Sequence, residues 1–133
     1  MRDLRMYISL VFLLLPFLSC WQIVYTSPFT HTYPNIFTSS IEDVNRNITF
    51  EPNTITIATE TAQGKEIEIL TVREVLHYEG KVSMFCTTRN NRHVTIALPE
   101  QERVEIIDYF SQDPKTKEDY QLRFYVEREF QRQ

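Results

Sequence analysis

The sequence predicts an all-β domain: a small antiparallel meander, folded as a sandwich or a coiled half-barrel of about seven strands, behind an N-terminal hydrophobic helix. Three observations carry this. From Asn47 onward apolar and polar residues alternate with period two. The composition is rich in Thr and Ile and includes only three alanines, at 58, 62 and 97, which favours pleated surfaces over helices. Turn chemistry also recurs at short intervals: Glu51-Pro-Asn53, Ala62-Gln-Gly64, Glu79-Gly80, Asn90-Asn91 and the polar stretch from Ser111 to Asp119.

The strands expected between these turns are 47–50, 54–61, 65–77, 81–89, 92–98, 103–110 and 120–127. The last is the cleanest, with Tyr120, Leu122, Phe124 and Val126 on one face. Adjacent apolar pairs at Ile69-Leu70 and Ile106-Ile107 break the alternation and suggest bulges. Asn90-Asn91 reads as a two-residue hairpin turn, because Asn tolerates positive φ. That register sets Cys86 opposite Thr95 and Phe85 opposite Ile96, and makes the hairpin apolar on both faces.

Ahead of the strands lie two other segments. Residues 1–25 begin with Arg2, Asp3 and Arg5 and continue into an uncharged, densely apolar run, which reads as a signal peptide or membrane anchor. Residues 26–45, uncharged through Ser40 and rich in hydroxyls and prolines, read as a stalk or linker, leaving 46–130 as the β-domain.

Within the leader, Pro16-Phe-Leu-Ser-Cys20 resembles the lipobox of bacterial lipoproteins, with Ser19 and Cys20 matching and Phe17 and Leu18 departing from it. The resemblance implies lipidation of Cys20 and a membrane-held N-terminus outside the cytoplasm. Together with the short strands and a lone mid-chain cysteine, it gives the chain the look of small exported bacterial β-rich proteins. That likeness implies location and fold class and transfers no active site. Cys86 is then expected to be buried, with a Cys20–Cys86 disulfide as the alternative. Asn47-Ile-Thr49 fits a glycosylation acceptor only in a eukaryotic secretory pathway.

The net charge of −4 gives no reason to expect nucleic acid as a partner. Cys86 and His93 share a face in the two-residue register, but no third group completes a catalytic arrangement. Arg89, Arg92 and His93 form a basic tip that could bind an anion. Glu66/Glu68 and Glu100/Glu102 have the spacing that puts two carboxylates on one strand face, expected to be solvated. His31 and His77 stand alone, and no metal-ligand spacing, GxSxG, HExxH or phosphate-binding glycine loop occurs. No cofactor and no catalytic residue is expected. The functional expectation is a non-enzymatic, envelope-tethered binding module for an envelope protein or surface polymer. The alternative is a carrier of a small apolar ligand, its cavity lined by residues such as Phe85, Leu122, Phe124 and Val126.

Overall fold

A computed structural model describes residues 22–35 and 38–128. These hold nine strands and no helix: β1 Ile23–Asn35, β2 Thr38–Glu42, β3 Arg46–Phe50, β4 Thr54–Thr61, β5 Gly64–Tyr78, β6 Lys81–Thr87, β7 His93–Pro99, β8 Ile106–Gln112 and β9 Asp119–Arg128. Every pairing is antiparallel, in meander order from β3 to β9; β1 lies between β2 and β3, and β9 returns to pair with β1. The sheet therefore closes into an eight-stranded barrel, with β2 outside the ring. Closure removes the exposed edges that a half-barrel or sandwich would leave, and the expected open architecture is corrected accordingly.

The seam is made by the segment expected to be a stalk. β1 pairs with β3 along Ile23–Ser27 and with β9 from Tyr25 to Tyr33, while β2 continues beyond β3 on the same edge of β1. A register shift between Thr26 and Phe29 marks a bulge that lets β1 follow the barrel's curve. The leader boundary at residue 25 also falls inside β1. Cys20, the lipobox-like segment and the expected hydrophobic helix lie outside the described residues.

Two hairpin turns use the residues their geometry demands. Glu79 and Gly80 both have positive φ, at 48° and 76°, the signature of a type I′ turn. The β6–β7 connection differs from expectation. Asn91 N–H donates to Thr88 O (3.0 Å) and Asn91 takes φ 59°, giving a turn followed by a left-handed residue: a three-residue loop, Arg89–Asn91. The extra residue shifts the register, so Cys86 faces Val94 and Phe85 faces Thr95. One slip reverses which face a partner side chain meets. Val82, Met84 and Cys86 thus point inward beside Val94, Ile96 and Leu98, and Phe85 is exposed.

The expected bulges move as well. Ile69 is exposed and Leu70 buried in ordinary alternation, and β8 simply begins at Ile106. The irregularity in β5 lies between Val72 and Glu74, where the strand passes from pairing with β4 to pairing with β6.

The lumen is packed at its centre by Ile48, Ile57, Leu70, Ile96, Ile107 and Phe124. One end is plugged: Tyr25 and Phe50 meet edge-to-face at 5.8 Å, and Val104 of the β7–β8 loop is buried there. Glu105 O accepts from Val126 N–H at 2.9 Å, fastening that loop to β9. The opposite end, at the starts of β3, β5, β7 and β9, stays open. The interior is apolar, and the outer face carries the Asp108–Arg123 ion pair beside exposed apolar side chains such as Ile69, Phe85 and Phe110.

Candidate functional site: a polar cup at the open end

At the open end the inward positions change from aliphatic to polar without changing parity. Arg46 precedes Ile48 and Phe50 on β3; Glu66 and Glu68 precede Leu70 on β5; Tyr109 follows Ile107 on β8; Tyr120 precedes Leu122 and Phe124 on β9. Period-two geometry therefore aims them into the mouth. They enclose a space of about 310 Å³ floored by Ile57, Leu122 and Phe124.

Arg92 is at the centre of this arrangement. Its Nη2 donates to Tyr109 Oη at 2.9 Å and to Tyr120 Oη at 3.5 Å, and lies 3.7 Å from Glu68 Oε2. Tyr109 in turn donates its phenolic proton to Glu68 Oε1 at 2.8 Å. Burial and the Glu68 carboxylate push the Tyr109 phenol far above its ordinary value, so it acts as a permanent donor. Burial works against the Arg92 charge, but Tyr109, Tyr120 and Glu68 together raise its pKa. Arg92 Nε is buried with no hydrogen-bond acceptor.

Arg46 forms the opposite wall. Its Nε donates to Thr59 Oγ1 at 3.2 Å and its Nη1 to Thr30 Oγ1, and the guanidinium lies 5.3 Å from the centre of the Phe124 ring. Burial lowers its pKa, against the pull of Glu42 and Glu66.

A second space, of about 390 Å³, opens beside the first and shares Ile67, Glu68 and Arg92 with it. It exists because the first half of β5 pairs only with β4: its pairing with β6 begins at Thr71. The barrel wall is therefore parted between β5 and the β6–β7 loop, and the Arg92–Glu68 pair bridges the gap.

The expected basic tip is divided by this geometry. Arg92 turns inward, Arg89 lines the side opening, and His93 is exposed opposite Thr87 on the outer face, away from Cys86. The Cys86–His93 pair is thus not assembled. Cys86 is buried, with its thiol against Met84 O at 3.5 Å and its pKa pushed up to about 11 by burial. Glu66 and Glu68, expected on a solvated outer face, line the mouth instead. His77 is paired, its Nδ1 3.0 Å from Glu100 Oε1. Of the expected cavity lining, Leu122 and Phe124 reach the cup, Val126 lies deeper in the core, and Phe85 faces outward. Among the described residues no three His, Cys, Asp or Glu side chains cluster as metal ligands.

Arg46 and Tyr109 were not singled out by the sequence, and Tyr120 was placed on the apolar face of the last strand but given no role in a site. The signal that could have found them is a charged or phenolic residue in phase with apolar ones at one end of a strand. No protein-family model, curated protein or solved structure matches this chain.

Proposed function

We propose that the protein is a non-enzymatic binding protein of the cell envelope that takes a small organic ligand into the mouth of its barrel. The observation that carries this reading is the cup itself. It is a concave site with an apolar floor and a few convergent polar groups, at the open end of an otherwise filled barrel. Two phenols, two guanidiniums and two carboxylates can orient a ligand. Among the described residues the cup is lined by no cysteine or serine, Cys86 being buried elsewhere, and Tyr109 commits its proton to Glu68.

The envelope part of the proposal rests on the leader and the lipobox-like Cys20. It is consistent with the direction of the chain. β1 starts at the plugged end, so an anchor only a few residues upstream of Ile23 would hold that end toward the membrane and turn the mouth outward.

Native mass spectrometry of the protein isolated from its host envelope tests both parts. The expected result is a lipid-modified N-terminus at Cys20 and a small organic adduct, the adduct lost in the cup-filling variant Thr59→Phe. An unmodified N-terminus overturns the anchoring. The absence of any adduct, or one that persists unchanged in Thr59→Phe, overturns binding in the mouth.

A further inference from the structure

The cup carries two cations, Arg46 and Arg92, and two carboxylates, Glu66 and Glu68, which cancel formally but not in place. Glu68 is occupied: it accepts from Tyr109 and faces Arg92. Glu66 stands exposed at the rim. Among the described residues Arg46, half-buried, has hydrogen bonds only to the hydroxyls of Thr30 and Thr59, and it rests on the Phe124 ring. Glu42 and Glu66 act on it from a distance, and among the described residues no carboxylate lies within ion-pairing distance of it. A guanidinium has five N–H donors in a rigid fork, so two hydroxyl contacts leave most of that capacity unused. Arg92 adds a buried donor without an acceptor, its Nε. A buried donor left unmet is costly, and Arg46 keeps unused donors that suit an acceptor-only group. The cup is therefore short of a negative, acceptor-only group.

We infer that the mouth accepts a compact organic carboxylate, its charged end held by Arg46 and its apolar body resting on Phe124, Leu122 and Ile57. This rests on the binding reading of the mouth and gives it a ligand class. A carboxylate supplies two acceptor oxygens in the geometry that matches a guanidinium fork. An ammonium would face Arg46 with like charge, and a neutral ligand would leave that charge uncompensated. The volume of about 310 Å³ lies at the small end for ligand sites, which suits a compact ligand. The aromatic and branched floor suits an aryl or branched body. Arg89 at the side opening places a further positive charge on the entry path, which favours anion approach.

The test is equilibrium dialysis of the full-chain protein, with protein-free detergent as the blank, against three probes of nearly one shape: 2-naphthoate, 2-naphthamide and 2-naphthylmethylamine. The acid should bind roughly tenfold or more tightly than the amide, and the amine least. Arg46→Gln should bring acid and amide to within about twofold of each other by removing the charged fork. If Arg46→Gln does not fold, Arg46→Lys should bind the acid more weakly than the parent while still preferring it to the amide. Equal binding of acid and amide by the parent overturns the carboxylate inference and leaves the binding mouth standing. Failure of all three probes to bind overturns the mouth as a binding site, and this inference with it.

Discussion

Cys86 and Phe124 occupy inward positions on β6 and β9, and their behaviour follows from that. The Cys86 thiol is 2% exposed and behaves as a small hydrophobe. Native protein should resist iodoacetamide at neutral pH and react once unfolded; rapid native labelling would contradict its placement. Burial raises its pKa from 9.0 to about 11, so the folded protein holds that proton more tightly than the unfolded chain does. The resulting stabilisation is complete below about pH 9 and fades as pH rises through about 11, amounting to roughly 2–3 kcal/mol. Denaturant titrations should show Cys86→Ala losing less stability than the parent across that interval. An equal loss in both would assign the alkaline effect to other groups. Phe124 is fully buried below Arg46, and Phe124→Ala should cost roughly 3–5 kcal/mol by chemical denaturation. Both residues were legible in the sequence because each follows the alternation of its own strand. Arg92 was not: whether a loop residue turns inward depends on loop length, and one residue separates a solvated tip from a half-buried bridge.

At the scale of elements, the β6–β7 hairpin and β1 show where pattern reading reaches its limit. Asn-Asn is compatible with both two- and three-residue loops, and the structure uses only Asn91 in the left-handed region. Asn91→Gly should therefore be tolerated, whereas Asn91→Val should cost about 1–2 kcal/mol in thermal or denaturant unfolding. Asn90→Val should cost much less, because Asn90 is not left-handed; an equal cost at 90 and 91 would restore the two-residue turn, whose central residues both need positive φ. β1 was hidden for a different reason. Its inward positions include Ser27 and Thr30, buried hydroxyls that serve Phe29 O and Arg46, and its bulge leaves Pro28 and Phe29 both exposed. Polar residues inside, apolar ones outside and a proline at the bulge resemble a tether in composition. A chain lacking residues 22–45 should consequently fail to fold, because β3 and β9 would lose their shared partner. A cooperative unfolding transition in that truncation would show that the stalk reading was right.

At the scale of the molecule, local alternation predicts strands and their order but not whether the last meets the first. Closure depends on the tilt and stagger accumulated around the sheet, and on a seam strand the pattern did not announce. The candidate site depends on the same closure, since Arg46 and Thr30 reach Phe124 only when β1 lies between β3 and β9. Without the seam there is no enclosed mouth for a ligand to enter. Amide hydrogen–deuterium exchange of the full chain tests that closure most directly. With β1 paired on both edges, peptides covering residues 23–33 should exchange as slowly as those covering β4 and β9. Exchange of 23–33 within seconds, beside a protected remainder, would mean an open sheet on a tether and would contradict the barrel and its cup together.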